Sequence, residues 1–296
     1  MLTAAAKVRT HFRNILFATD FSDAAAHAIP YVRKIAKRYE SNLVAFHVRP
    51  PVVNPMTQPG YWPADIEAAK AIDEQHRQEM RDSFPGISTG PLIVEGDIQS
   101  CLDIAIRSNN VDLVVIGTRG RTGIGKLVLG SVAEQIFRNV TCPVLTVGPH
   151  TRSSPIEARD FREILFATDL SPESERAAAY AVSMAQEFGA RLILLHVVPE
   201  PKPGDLVSWS NVQESSKNLL HKLVPPEAEA WCKPEYFIEH GDPAERILDL
   251  AMLRESDLIV LGAQAEKGVP GAATHLPTAI AHKVVSRATC PVLTVR

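Results

Sequence analysis

Short apolar runs alternate along the chain with longer segments of helical spacing. In the first half, five nearly continuous apolar runs predict strands at residues 14–19, 42–48, 91–96, 111–117 and 143–147. Between them, apolar side chains recur every three or four residues, which predicts helices at residues 22–39, 64–84, 98–109 and 131–140. Ser22 or Asp23 is expected to cap the first helix, and Pro30 is expected to bend it.

The whole pattern occurs twice. The motif "FRNILFATDFS" at 12–22 returns as "FREILFATDLS" at 161–171, and "TCPVLTV" ends each half. A repeat of this length indicates two copies of a domain rather than a solenoid. We therefore expect a first domain at residues 1–148, a polar linker at 149–160 and a second domain at 161–296.

Apolar strands separated by helices are typical of a parallel sheet that is covered on both faces. Since such crossovers are right-handed, each half is expected to be a doubly wound α/β sandwich. Ligands bind such sheets beyond the carboxyl ends of the strands, where the strand order reverses. The motifs "ATD" at 18–20 and "GTRG" at 117–120 follow the first and fourth strands, so we expect them to meet there.

The composition excludes several classes of partner. The formal net charge of −3 gives no general attraction to nucleic acid or to acidic membranes. The four cysteines form no C-x-x-C pair, so no metal site is expected, and Cys142 and Cys290 are expected to be small buried residues before a strand. The chain has no apolar leader and no run of 18 apolar residues, which predicts a cytoplasmic protein in a reducing compartment.

The loop "GTRGRTGIGKLVLGS" at 117–131 is rich in glycine and basic residues, which favours phosphate binding. Part of it matches a P-loop, but Leu127 stands where a P-loop requires Ser or Thr to hold Mg²⁺. The spacing Gly117-x-x-Gly120, nine residues and then Gly130-Ser131 instead resembles the nucleotide motif of the universal stress protein family. This resemblance covers nearly the whole chain twice, through the motifs "ATD", "HV" and "CPVLTV".

The resemblance implies a strand order of 3-2-1-4-5 in each half and ATP, which Mg²⁺ can accompany, as the ligand. It places Asp20 near the ribose and adenine, with Ala18 and Thr19 beside it. It places Val48 against the adenine. The complete set of implied binding residues is Ala18, Thr19, Asp20, Val48, Gly117, Arg119, Gly120, Gly130, Ser131 and Val132. From the residues alone, Asp20 is equally a turn residue that caps the next helix, and His47 and His196 are strand-end packing residues.

The second half departs from the nucleotide motif. It keeps Asp169, Val197 and Gly262, but its longer loop has no Gly-Ser pair. Pro270 and Pro277 also remove N–H donors from this loop. We therefore expect nucleotide binding in the N-terminal half only.

The expected function is an ATP-binding regulatory protein of the stress response, with no catalytic residue. The alternatives are a slow ATPase, an enzyme that acts on the nucleotide α-phosphate, and a scaffold that binds no nucleotide. The strands 144–147 and 292–295 are expected to lie at sheet edges and to pair the halves as a pseudo-twofold intramolecular dimer. Further association into a homodimer is compatible with the sequence but is not specified by it.

Overall fold

The computed structural model describes residues 10–49, 63–118, 133–136, 140–152, 160–198, 200, 209–262 and 277–296. In the first half, the strands are β1 (Asn14–Ala18), β2 (Asn42–Arg49), β3 (Thr89–Glu95), β4 (Leu113–Gly117) and β5 (Val144–Val147). The helices are α1 (Asp23–Tyr39), α2 (Pro63–Asp82) and α3 (Ile98–Ser108), and residues 133–136 are also helical.

The second half repeats these elements. Its strands are β6 (Glu163–Thr168), β7 (Arg191–Val198), β8 (Glu235–His240), β9 (Leu258–Gly262) and β10 (Val292–Val295). Its helices are α4 (Pro172–Phe188), α5 (Trp209–Leu223), the single turn α6 (Glu229–Cys232), α7 (Pro243–Leu253) and α8 (Pro277–Arg287). A short 3₁₀ helix at Pro226–Ala228 precedes α6.

The ten strands form one sheet in the order β3-β2-β1-β4-β5-β10-β9-β6-β7-β8. Pairing is parallel within each half, and β5 pairs with β10 in the antiparallel sense. The order within each half is therefore 3-2-1-4-5. The predicted doubly wound α/β fold is confirmed.

Local sequence signals set the start of the first helix in each half. The Ser22 hydroxyl accepts a hydrogen bond from Ala25 N, and Ser171 makes the equivalent bond to Ser174 N. Of the two predicted caps, Ser22 is the one that the structure uses. Helix α1 is continuous across Pro30, which is buried, so Pro30 does not divide the helix.

Alternating side chains of each strand enter two apolar layers. In β1, Ile15 and Phe17 pack on the side of α1 and α2, whereas Leu16 packs on the side of α3. In the second half, α4 and α5 cover the first of these faces, and α7 and α8 cover the other. The sheet is therefore covered by helices on both faces.

The two halves meet along β5 and β10. Leu293 lies opposite Leu145, and both are buried. The Thr294 hydroxyl donates to the Val144 carbonyl at 3.2 Å, and the Arg296 guanidinium donates to the Val140 carbonyl at 2.6 Å. The strands that the sequence places at the shared interface are the ones that pair in the structure.

An aromatic cluster adds a second contact between the halves. Phe12, before β1, stacks on Tyr180 of α4 with ring centroids 5.8 Å apart. Phe161, before β6, stacks on Tyr31 of α1 at 6.1 Å, so the contact is reciprocal. Tyr39 packs edge to face on Phe188 at 6.2 Å. Since such rings bury large areas, this cluster contributes to the docking of the halves.

An aspartate before the fourth strand of each half holds the start of the first strand. The Asp112 carboxylate accepts from Arg13 N at 2.8 Å and from Asn14 N at 3.2 Å. Asp257 accepts from Arg162 N at 2.9 Å and from the next backbone N–H at 3.1 Å. The repeated "VDLVVI" and "SDLIVL" motifs therefore carry a structural aspartate.

The halves differ around this aspartate. In the first half, the Asn42 amide donates to the Asn14 amide oxygen at 3.1 Å. In the second half, the carboxylate of Glu163 is almost fully buried and pairs with Arg191 and Arg254. Removal of either arginine would leave the buried Glu163 charge less well paired, so these ion pairs constrain the packing around the start of β6.

One of the two repeated cysteines is buried, as the sequence predicts for both. Cys290 is buried and Cys142 is half-buried. Burial raises the pKa of the Cys142 thiol to about 11 and that of Cys290 to about 12, so both stay protonated at neutral pH. Within the described ranges, no helix is long and apolar enough to cross a membrane.

A charge at the centre of the β5–β10 interface should separate the halves. We expect Leu293→Asp to lower the free energy of unfolding by roughly 4 kcal/mol or more, because it buries an unpaired carboxylate. Limited proteolysis should then cut the linker at residues 149–160 faster. The same change at Leu253, which is 77% exposed, is the matched control and should leave both measurements unchanged. Equal behaviour of the two variants would contradict this interface.

Candidate functional site

The candidate site lies at the point where the strand order reverses, between β1 and β4. Ala18 at the end of β1 is in register with Ile116 of β4. Thr19 and Asp20 therefore follow one strand where Gly117 ends its neighbour. The structure thus brings together four of the residues that the sequence analysis assigned to the site.

A tight turn follows β1. The Thr19 hydroxyl accepts from Phe21 N, and the Asp20 carboxylate accepts from Ser22 N, each at 3.0 Å. These bonds stabilise Phe21 in the left-handed region at φ 59°, which is unfavourable for a bulky side chain. The second half has the same bonds, with Leu170 at φ 62°. The turn is therefore part of the fold of both halves.

The second role considered for Asp20, a turn residue that caps the next helix, is confirmed for the turn and wrong for the cap. Its side chain shapes the turn, but the cap of α1 is Ser22. Asp20 itself is exposed at the carboxyl edge of the sheet. A carboxylate in this position can accept hydrogen bonds from hydroxyl groups of a ligand.

Two equivalent histidines support the turn from β2 and β7. Nδ1 of His47 lies 2.8 Å from the Thr19 carbonyl oxygen, and Nδ1 of His196 lies 2.9 Å from that of Thr168. Because a carbonyl can only accept, Nδ1 is the donor in both bonds. The packing role expected for these histidines is confirmed. Among the described residues, no group of three His, Cys, Asp or Glu side chains could hold a metal ion.

Helix α2 contacts the turn through an aromatic stack that the sequence analysis did not identify. The rings of Phe21 and His76 are stacked with centroids 4.0 Å apart, and His47 lies 4.9 Å from Phe21. Arg49 at the end of β2 also pairs with Glu95 at 3.1 Å and with Asp73 of α2 at 3.7 Å. A histidine on a polar helix gives no sequence signal for this contact, since it depends on where the helix docks.

Val48 and Ala18 supply apolar surface beside the turn. Both are half-buried and pack against the layer that contains α3. Ala133 and Ile136, in the helical stretch 133–136, are buried in the same layer. The chain that follows the glycine-rich loop therefore returns to the face of the sheet where Val48 lies.

Gly117 has a packing requirement of its own. A Cβ added at Gly117 would lie 2.6 Å from the Ala24 carbonyl carbon and 2.8 Å from Ala25 Cα. A Cβ at Gly262 would lie 2.8 Å from Ser174 Cα. In both halves, the last residue of the fourth strand thus touches the first turn of the first helix: β4 touches α1, and β9 touches α4. This contact explains why the second half keeps Gly262 although its loop differs.

The rest of the predicted phosphate loop lies outside the described residues. This applies to Arg119, Gly120, Gly130, Ser131 and Val132, and also to residues 263–276 of the second half. The described helical stretch at 133–136 falls within the helix predicted from the sequence at 131–140.

Asp169 accepts one hydrogen bond that its counterpart in the first half cannot receive from the equivalent position. Asp169 accepts from Ser171 N at 3.0 Å, as Asp20 does from Ser22, but it also accepts from the Ser174 hydroxyl at 2.6 Å. Partial desolvation alone would raise the pKa of Asp169, but the hydrogen bonds from Ser171 and Ser174 bring it below its usual value. Alanine occupies the position equivalent to Ser174 in the first half, at Ala25.

Comparisons with known proteins agree with this architecture. A model described as the universal stress protein family matches residues 11–148 and 160–296. A universal stress protein of Mycolicibacterium smegmatis is 26% identical over 298 residues, covering 95% of this chain and 96% of that protein. Another, from Thermus aquaticus, is 36% identical over 141 residues, covering 46% of this chain and 99% of the relative.

A solved structure resembles the complete chain. The crystal structure of a universal stress protein from Archaeoglobus fulgidus superposes with a TM-score of 0.68 at 20% identity, covering 97% of this chain and 99% of that one. At this identity the likeness concerns the fold. It extends across both halves and supports the tandem arrangement.

We expect both Gly117→Ala and Gly262→Ala to destabilise the protein, and Gly117→Ala to do so more, because its added Cβ would overlap the Ala24 carbonyl oxygen. Each added methyl group would push against the backbone of a helix, at a cost of about 1–3 kcal/mol. Thermal or denaturant unfolding measures this cost. Gly90→Ala is the matched control, because the atom nearest to an added Cβ there is the Leu43 carbonyl oxygen, at 3.9 Å. If Gly117→Ala changed ligand binding while unfolding stayed unchanged, the packing explanation would be wrong.

Proposed function

We propose that this chain, which belongs to the universal stress protein family, binds ATP in its N-terminal half and acts as a regulatory protein of the stress response. The main support is the meeting of the "ATD" turn and Gly117 at the reversal of strand order. This is where doubly wound sheets bind ligands.

The described residues fit the adenosine part of the nucleotide. The exposed Asp20 carboxylate can accept hydrogen bonds from the ribose hydroxyls. The half-buried side chains of Ala18 and Val48 offer an apolar surface for the adenine ring. Thr19 is committed to the turn through its hydroxyl, so we assign it a positioning role.

We assign the phosphates to the loop that follows Gly117. Gly120 and Gly130 would let backbone N–H groups approach phosphate oxygens, and Ser131 and Val132 would present N–H groups at the start of a helix. Arg119 would supply positive charge. Mg²⁺, when it accompanies ATP, would neutralise phosphate charge at the same place.

We propose that the second half binds no ATP. Its loop lacks the Gly-Ser pair and contains two prolines that remove N–H donors. Its aspartate, Asp169, is bound by the Ser174 hydroxyl. We assign this half to pairing with the first, through β10 and the aromatic cluster.

Regulation is favoured over catalysis in this proposal. A phosphoryl-transfer enzyme needs a residue that orients the nucleophile and cations that stabilise the transferred group. Among the described residues that directly follow β1 and β4, Asp20 is the carboxylate, and its bond to Ser22 N gives it a role in the turn. We propose a cytoplasmic protein whose nucleotide state sets its conformation or its affinity for a partner.

Calorimetric titration with ATP should give a stoichiometry near one per chain. Gly130→Val should abolish binding while circular dichroism stays native, because the branched side chain would block the phosphates. The matched control is Gly271→Val in the loop of the second half, which should bind as the wild type does. Two equivalent sites, or normal binding by Gly130→Val, would contradict the proposal.

Turnover of ATP should be far below the roughly 1–10³ per second that is typical of enzymes. Phosphate release at saturating ATP and Mg²⁺ measures it, and Gly130→Val protein, purified in the same way, reports contaminating activity. A rate within the enzymatic range that disappears in Gly130→Val would show that the protein is an ATPase.

A further inference from the structure

The two ends of the ten-stranded sheet have different edges. The sheet ends at β3 in the first half and at β8 in the second. Alternate residues of an edge strand bond to the neighbouring strand, and the residues between them turn their N–H and C=O groups outward. Gly96 N donates to the Arg49 carbonyl, and Gly241 N donates to that of Val198. The outward residues are therefore the odd-numbered ones in β3 and the even-numbered ones in β8.

Pro91 protects the edge at β3. It is an outward residue, and a proline has no N–H to offer to a further strand. Tyr236 is its counterpart in β8, because it precedes Gly241 by as many residues as Pro91 precedes Gly96. Prolines at such positions are one of the devices by which proteins prevent edge strands from pairing. The first half therefore ends in a protected edge, and β8 lacks this proline.

Strand β8 has the sequence of a strand that pairs well. In "EYFIEH", Tyr236, Phe237 and Ile238 all have high β propensity. Within the described ranges, no backbone hydrogen bond extends from Ile238 or His240 beyond this edge. Trp209, at the start of α5, packs edge to face on His240 with centroids 5.4 Å apart, and 36% of its surface is exposed. An open edge beside an exposed aromatic ring is typical of a surface that pairs with another strand.

We propose that β8 is the docking site of a second copy of this chain, through antiparallel pairing of β8 with the same strand of the second chain. The chain already joins its own halves by antiparallel pairing of equivalent strands, β5 and β10. Pairing of β8 with its own copy gives a closed twofold dimer. Because Pro91 blocks the opposite edge of the sheet, the dimer does not grow into an open filament.

Most registers of this pairing are unfavourable. Outward residues must face outward residues, so the twofold axis passes through one residue of the strand. An axis at Tyr236 or at Phe237 would bring Pro234, which has no N–H, into the hydrogen-bonded row. An axis at Phe237 would also place Glu235 opposite Glu239 of the second chain. An axis at Glu239 would place that residue opposite its own copy, and like charges directly opposite each other are destabilising.

An axis at Ile238 avoids these problems. Ile238 then lies opposite its own copy, and Tyr236 lies opposite His240 of the second chain. The outward residues of both strands exchange about six hydrogen bonds, and no carboxylate of one strand faces a carboxylate of the other. Through its contact with His240, the exposed Trp209 ring comes to lie beside Tyr236 of the second chain. This register therefore uses the full length of the strand and covers the exposed ring.

The first test compares Ile238→Lys with Ile93→Lys, the same change at the equivalent position of β3. Both isoleucines are partly buried against the same apolar layer, so the cost to folding should be similar, and circular dichroism checks it. In sedimentation velocity, the wild type should have twice the 32.4 kDa mass of one chain. Ile238→Lys should weaken the dimer about tenfold or more, because two ammonium groups would face each other at the axis. Ile93→Lys should remain dimeric.

A second test reads the register and does not depend on a disruptive charge. The Cα atoms of a hydrogen-bonded antiparallel pair are about 5.5 Å apart, within the roughly 4.4–6.8 Å span of disulfides. Ile238→Cys should therefore oxidise to a covalent dimer, whereas Ile93→Cys and the wild type, which have the same native cysteines, should not.

Four results would overturn the inference. They are a wild type that stays monomeric at high concentration, a dimer that survives Ile238→Lys, equal loss of the dimer in both lysine variants, and the absence of the Ile238→Cys cross-link. A monomeric wild type that instead binds an extended peptide at β8 would give this edge a different occupant and would also contradict the proposal.

Discussion

The contact between the end of β4 and the first turn of α1 is the constraint on which the site depends. The strand ends so close to the helix backbone that Gly117 has no space for a Cβ. This contact fixes where the chain leaves β4 and sets that point beside the turn after β1. The turn after β1 then directs Asp20 to the open carboxyl edge of the sheet. The crevice therefore follows from backbone packing, before any residue of the phosphate loop is considered.

The second half keeps every part of this arrangement that the fold itself requires. Each of these parts has a structural partner within the second half. They are Gly262, the turn at Asp169, the hydrogen bond of His196, and Asp257, which binds the backbone at the start of β6. These residues would be retained in a copy that binds nothing. The loop after the fourth strand differs between the halves, and there a ligand, rather than the fold, would set the requirement.

Much of the fold could be predicted from the sequence because its signals are local. Continuous apolar runs located the strands, Ser22 marked the helix start, and the β-branched "PVLTV" motif identified the strands that join the halves. The reason for Gly117 could not be obtained in this way. The sequence suggested that Gly117 accommodates phosphate. Its packing role comes from its contact with Ala24, which lies in a distant part of the chain.

Other features were missed for the same reason. The reciprocal stacking of Phe12 on Tyr180 depends on how the halves dock, and the stack of Phe21 on His76 depends on the position of α2. Side-chain pairing across elements is set by tertiary packing, which periodicity does not encode.

The central claim is that the two crevices, although built alike, differ in ligand binding. An NMR titration of the labelled protein with ATP tests it most directly, since each half contains an equivalent set of backbone amides. The account predicts that the amides of Thr19, Asp20 and Gly117 shift with ATP, while those of Thr168, Asp169 and Gly262 stay in place. Shifts of both sets, shifts of the second set alone, or no shifts at saturating ATP would contradict it.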